Sequence, residues 1–307
     1  MISARLETDV SGLRFRNPVL LAAGTAAYGR ELSGVTDLNQ LGGIVTKAVS
    51  VEQRAGAPAP RVAEFEGGMI NAVGLANPGV EKARSDDLPW LAANLRNTRV
   101  IVNVVGSRVE DFSEVVSRLE DTPLDAYELN VSCPNTKKGG VEFGADCAVL
   151  ADLVTRARAA TRRPLFVKLS PTLTDIALSA RTAVDAGADG ISAVNTMPGL
   201  LIDTQTRKPK LGFGTGGVSG PGLLPVGLLA TWKIRKAVSV PIIGVGGISS
   251  ADDVVQYFLA GASLVAIGTA ALRDPRAPSR IVRDLDRWCS SHNVQRLADL
   301  TGGLEWQ

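Results

Sequence analysis

Eight short apolar runs recur along the chain, at residues 18–22, 43–47, 100–104, 126–131, 165–169, 190–195, 242–245 and 264–267. Many are rich in Val and Ile, which reads as strands buried on both faces, as in a parallel sheet. Between them, the stretches 80–95, 108–119, 145–160, 173–186, 223–237, 251–260 and 277–290 space their apolar residues by three to four, and a shorter one precedes Gly42. In the second stretch Val109, Phe112, Val115, Val116 and Leu119 form one helical stripe able to lie on a sheet. Ser249, Ser250 and Asp252 offer an N-cap ahead of Val254, and Thr174 and Asp175 open the helix over 173–186.

Strand and helix alternating eight times predict an α/β fold, a (β/α)8 TIM barrel. A doubly wound sheet is the alternative, but no Gly-x-Gly-x-x-Gly follows the first run. At 307 residues the chain suits one domain over 1–307. An N-terminal β-hairpin is expected from residues 4–9 and 13–16 around Ser11-Gly12. Three connections, 50–68, 134–144 and 197–222, exceed the usual handful of residues. All leave C-terminal strand ends, where barrel active sites sit, so they are expected as inserted loops covering a site.

Several function classes fall away on composition. The net charge is +2, from 33 basic and 31 acidic residues, with no long run of one sign. Nucleic acid and anionic membranes are therefore not expected partners. No apolar stretch reaches the length of a membrane span, and the N-terminal residues do not read as a signal peptide. The three cysteines, Cys133, Cys147 and Cys289, are too few for a disulfide framework and contain no Cys-x-x-Cys pair. That fits a reducing compartment, the cytoplasm, and gives no ligand set for zinc or iron–sulfur. With His292 as its only histidine, the chain cannot build a multi-histidine metal site.

Polar residues gather at one end of the apolar strands. Ala23-Gly24-Thr25 follows the first, Lys47 ends the second and Asn103 the third. Asn130 and Cys133 follow the fourth, Lys168 ends the fifth and Asn195-Thr196 the sixth. A purely structural core gives no reason for two lysines to end buried strands, since an ammonium without an anionic partner is costly to bury. Gly246-Gly247 ends the seventh strand ahead of a helix, and Gly268-Thr269 ends the eighth. Glycines there let backbone N–H groups approach an anion, as in the phosphate site of many barrels. A phosphate site beside strand-end lysines suits FMN, with Lys168 as the cation beside the flavin N1/C2 carbonyl. Cys133 lies on a Pro-bounded loop near Lys137 and Lys138 and could serve as a base, whereas Cys147 and Cys289 read as packing residues.

Leu129-Asn130-Val131-Ser132-Cys133-Pro134-Asn135 resembles the catalytic motif of the dihydroorotate dehydrogenases, and Asn71-Ala72-Val73-Gly74-Leu75-Ala76-Asn77-Pro78-Gly79 resembles their substrate loop. Ser11-Gly12-Leu13-Arg14-Phe15-Arg16-Asn17-Pro18-Val19, Asn195-Thr196, Gly216-Gly217-Val218-Ser219-Gly220 and Gly246-Gly247 continue the likeness over nearly the whole chain. The resemblance implies FMN contacts at Ala23, Gly24, Lys47, Ala48, Asn103, Asn130, Lys168, Val194, Gly220, Gly246, Gly247, Gly268 and Thr269. It implies substrate contacts at Lys47, Asn71, Ala72, Val73, Gly74, Leu75, Asn130, Asn195 and Thr196, with Cys133 as the base and no metal. The activity implied is oxidation of (S)-dihydroorotate to orotate in de novo pyrimidine (UMP) biosynthesis.

Within the family, Cys at the base position and the absence of a membrane-associating extension depart from the quinone-linked branch. Residues 136–144 and 202–209 look like the NAD-linked heteromeric branch, subclass B. That implies an iron–sulfur flavoprotein partner holding FAD and a [2Fe–2S] cluster, in a heterotetramer around a homodimer core. A fumarate-linked enzyme is the alternative. So is another FMN barrel acting on a dihydropyrimidine or on the dihydrouridine of tRNA, or a subunit that holds flavin without catalysis. Ala23 stands where a small hydroxyl residue is frequent, a departure that removes one hydrogen bond, roughly 1 kcal/mol.

Overall fold

The computed structural model describes residues 4–132, 134–135 and 141–306. Cys133, Lys137 and Lys138 lie outside the described residues.

Eight parallel strands close into a barrel: β1 (Val19–Leu21), β2 (Gly43–Val45), β3 (Arg99–Val104), β4 (Ala126–Asn130), β5 (Leu165–Leu169), β6 (Gly190–Ala193), β7 (Ile242–Val245) and β8 (Leu264–Ile267). They pair in chain order, and β8 closes on β1. The expected (β/α)8 barrel is therefore the observed fold. Alternate side chains point inward, and Leu20, Val45, Ile101, Ala126, Phe166, Ile243 and Leu264 fill the lower barrel. The outward faces pack under the helices in a larger core that includes Ile44, Val102, Leu129 and Val167. Four strands are shorter than the apolar runs, stopping at Leu21, Val45, Asn130 and Ala193. Past three of those ends the bonding to the neighbouring strand runs one residue further, from Ala22 N to Ile267 O, Thr46 N to Ile101 O and Val194 N to Val245 O.

Helices cover the barrel: α1 (Arg30–Ser33), a segment from Val80 to Asn94, α3 (Val109–Leu119), α4 (Cys147–Ala159), α5 (Ile176–Asp185), α6 (Leu224–Ala237), α7 (Ala251–Ala260) and α8 (Ala277–Ser291). The second, here α2, contains a π-helical turn at Ala83–Asp87. The short element expected before Gly42 is a 3-10 turn, Leu38–Gln40. Asp175 caps α5 by accepting from Leu178 N. Of the three N-cap candidates, Ser250 caps α7, in a capping box completed by Asp253.

The N-terminal hairpin pairs Thr8–Val10 with Leu13–Phe15, while Ala4–Leu6 forms a 3-10 turn instead of lengthening the first strand. Val10 and Phe15 are buried against the inward side chains, so the hairpin plugs the barrel bottom.

Two of the segments expected as loops form a sheet instead. Val62–Phe65, Gly68–Asn71, Gly216–Ser219 and Met197–Gly199 make a four-stranded antiparallel sheet. The glycines that suggested loops are positions of close strand approach. A Cβ on Gly68 would lie 2.1 Å from Ser219 O, and one on Gly216 would lie 2.5 Å from Asn71 O. The remaining insertion contains a short backbone pairing of Pro134–Asn135 with Val141–Glu142.

Candidate active site

A cavity of about 1070 Å³ opens at the C-terminal strand ends and is shared with the four-stranded sheet. It sits at the upper end of the range for small-molecule sites. Cys133 apart, every residue expected to contact cofactor or substrate lines it. Ser132, next to Cys133 in the chain, also lines it, and its Oγ is buried without a partner among the described residues.

At one end, Gly246 and Gly247 take φ of +130° and +74° between β7 and α7. A Cβ on Gly247 would meet Leu224 N at 2.4 Å, so backbone itself forbids a side chain there. Gly220, at φ +108°, sits against Gly68, where a Cβ would lie 2.7 Å from Gly68 Cα. Thr269 opens the short helix Thr269–Arg273 and donates from Oγ1 to Ser219 Oγ at 2.8 Å, tying β8 to the covering sheet. Asp253 accepts from Ser249 N at 2.8 Å, Ser249 Oγ at 3.0 Å and Ser250 N at 2.9 Å, holding the α7 end in place beside Gly247. Ser249, Arg273 and Arg280 line the cavity too; the sequence offered Ser249 only as an N-cap candidate and gave the two arginines no role. Arg273 also reaches Glu64 on the covering sheet at 3.2 Å.

At the other end stand Lys47, Asn71, Asn130, Asn195 and Thr196, with the 72–75 segment beside them. Asn71 donates to Gly217 O at 3.2 Å across the covering sheet. Asn195 donates to Asn130 Oδ1 at 3.2 Å while its own Oδ1 accepts from Thr196 N at 2.8 Å. These bonds engage one amide atom each of Asn71 and Asn130 and both of Asn195, and leave the other atoms of the first two for a ligand. Lys47 is pushed below the ordinary lysine value by burial and, less strongly, by the Arg61 guanidinium. That is the expected behaviour of a partly desolvated ammonium without a carboxylate.

Between the two ends, Lys168 and Asn103 are almost fully buried in the barrel mouth. Asn103 donates from Nδ2 to Glu128 Oε1 at 2.7 Å, and its Oδ1 is buried without a partner among the described residues. Glu128, one residue before the catalytic motif and 1% exposed, has no role in the expectations from sequence. Its spacing of two from Asn130 puts both on the inward face of β4, a signal the period of the strand already carried. Glu142 also lines the cavity and was overlooked; burial raises its carboxyl value, and bonds from Ser170 and Thr172 oppose that.

The arrangement offers an anion cradle, a buried ammonium with an unpaired amide oxygen, and an amide-rich pocket with a second ammonium. It fits a phosphorylated cofactor lying across the mouth with a small anionic ring against it.

A sequence model of the dihydroorotate dehydrogenase family matches residues 5–288. A dihydroorotate dehydrogenase B (NAD(+)) catalytic subunit from Pelobacter propionicus is 46% identical over 98% of each chain. One from Alkaliphilus metalliredigens is 43% identical over 99% of this chain and 100% of its own. A Solibacter usitatus protein, named provisionally as dihydroorotate dehydrogenase A (fumarate), is also 46% identical, over 99% of this chain and all of its own. With a family match spanning most of its length and full-length relatives well above 40% identity, this chain belongs to the dihydroorotate dehydrogenase family.

Proposed function

We propose that the chain oxidises (S)-dihydroorotate to orotate in de novo pyrimidine biosynthesis, using FMN in the cavity and Cys133 as the base. One observation carries the reading: two ammonium groups, four amide side chains and a glycine-built anion cradle converge on a single cavity. The cavity fits FMN on its own terms. Among the described residues, Asn103 Oδ1 is a buried acceptor without a donor and Lys168 has no hydrogen-bond partner, and the Gly247 cradle has no room for a Cβ.

The phosphate would be held by the backbone of Gly220, Gly246, Gly247, Gly268 and Thr269, where helix N-termini favour an anion. Ala23, Gly24, Ala48 and Val194 would border the ring, with Asn103, Asn130 and Lys168 supplying its polar contacts. Lys47 would pair the substrate carboxylate. Asn71, Asn130 and Asn195 carry both donors and acceptors, which the carbonyls and N–H groups of the substrate ring require. Thr196 and the segment Ala72, Val73, Gly74 and Leu75 would hold that ring flat and exclude water. Cys133 takes the C5 proton. FMN, when bound, supplies the acceptor for the C6 hydride, so that two electrons and one proton leave with it and the C5–C6 bond becomes double.

For the final acceptor we favour NAD+, reached through a partner subunit holding FAD and a [2Fe–2S] cluster, in a heterotetramer built on a homodimer. The B-type names of two relatives support this. The Solibacter relative favours fumarate as a second reading, in which no partner is needed. The sparse cysteines support a cytoplasmic setting. Among the described residues, no helix is long and apolar enough to cross a membrane.

The test is anaerobic mixing of the flavin-loaded chain with dihydroorotate, followed at the flavin absorbance. Rapid bleaching is expected, slowed by about 10²-fold or more in Cys133→Ser with flavin retained. A colourless chain, or flavin indifferent to dihydroorotate, would end the proposal. Fumarate turnover by the isolated chain, with no iron–sulfur flavoprotein co-purifying, would transfer the acceptor to fumarate.

A further inference from the structure

A polar layer inside the barrel, reaching from the lining of the cavity at Asn103 and Lys168 to Glu128, has more charge than the proposed reaction uses. Glu128 on β4 is 1% exposed, and Lys168 on β5 is 6% exposed. The ladder sets Asn103 beside Glu128, and Lys168 beside Asn130 one strand further on. Glu128 accepts from Asn103 Nδ2 at 2.7 Å, whereas Lys168 Nζ stands 4.0 Å from its Oε1. The longer distance exceeds a hydrogen bond. The carboxylate therefore offsets the ammonium's charge without occupying its N–H donors, and the Asn103 bond fixes where that carboxylate sits. A buried carboxylate survives only with such partners.

We propose that Glu128 is a positioning residue that sets the reduction potential of the bound flavin by offsetting the charge of Lys168. The inference rests on the FMN reading above. Two-electron reduction gathers negative charge at the pyrimidine edge of the isoalloxazine ring, and a cation at that edge favours the reduced form. A negative charge fixed 4.0 Å from the cation partly cancels its field at the ring. Glu128 thus lowers the potential that Lys168 alone would impose, which favours passing electrons onward.

The experiment measures the midpoint potential of FMN in the loaded chain by anaerobic dye equilibration, comparing wild type with Glu128→Gln. Glutamine keeps the volume and an acceptor for Asn103 Nδ2, so only the charge is lost. The reduced form is expected to gain at least tenfold, about 30 mV upward for a two-electron couple. Glu128→Asp keeps the charge but withdraws it, so its potential should rise by less than that of Glu128→Gln. If Glu128→Gln does not retain flavin, Glu128→Asp carries the test through its own rise. A potential that stays within threefold of the wild-type equilibrium, or falls, overturns the inference. Failure of the underlying reading looks different: the wild-type chain itself would lack flavin or resist bleaching by dihydroorotate.

Discussion

Asn195, past the end of β6, donates from Nδ2 to Asn130 Oδ1 at the end of β4, at 3.2 Å, bridging two strands that are not neighbours in the barrel. Each amide orients the other across the mouth. Removing either side chain would delete the ligand bonds proposed for it and free its partner to rotate. Asn130→Ala and Asn195→Ala should each lower kcat/KM for dihydroorotate by roughly ten- to hundredfold, the range of one or two lost hydrogen bonds. The double variant should fall short of the product of the two losses, because contacting residues couple. Full multiplicativity in steady-state kinetics would show that the amides act independently.

Gly247 stands where neither conformation nor space admits a side chain. Its φ is +74°, and an added Cβ would strike Leu224 N at 2.4 Å. Because that neighbour is backbone at the start of α6, no rotamer change relieves the contact. Gly247→Ala should cost about 1–3 kcal/mol of stability and strip most of the flavin. Thermal unfolding together with the flavin-to-protein absorbance ratio checks both; retention of a full flavin complement would place the phosphate elsewhere.

Asp253 satisfies three donors at the start of α7, next to that cradle. Asp253→Ala leaves those donors without their acceptor and removes half of the capping box. A loss of about 1–3 kcal/mol in denaturant unfolding is expected, with weaker FMN retention. An unchanged unfolding midpoint would show that water replaces the carboxylate without penalty.

Lys47 predicts a pH dependence with a definite sign. Burial, and then Arg61, hold its value below the ordinary 10.5. In the free chain the charged form is disfavoured, so stability improves as pH rises through the lowered value toward 10.5. Ligand affinity moves the opposite way, because only the ammonium pairs a carboxylate. Orotate binding, followed by the flavin spectrum, should be strongest below the lowered value and then weaken about tenfold per pH unit. The decline should begin short of 10.5 and vanish in Lys47→Gln. A Lys47→Gln profile that matches wild type would remove Lys47 from carboxylate recognition.

Much of this architecture is legible along the chain because its signals are local. The strands β5, β7 and β8 span the apolar runs that announce them, and α7 spans the stretch expected at 251–260. The covering sheet was not legible. Gly217 pairs with Asn71, and Ser219 with Met69, across about half the chain, and no local pattern encodes that register. The glycines at 68, 216 and 217 look like loop residues until the partner backbone is in place. Arg273 and Arg280 escaped for the same reason: nothing near them in sequence says that their side chains line a cavity. Glu128 is intermediate. Strand period turns it inward, but only the closed barrel sets it 4.0 Å from Lys168.

The sequence by itself determined the alternation that closes the barrel, the end of the barrel where chemistry collects, and the residue types gathered there. Those follow from the period of apolar side chains and from the cost of burying a lysine without an anion. Tertiary structure alone decided which amides face one another, which glycines admit backbone instead of a side chain, and how far Glu128 stands from the ammonium it offsets. Such relations are distances between strands, and a distance between strands exists only once the chain has closed on itself.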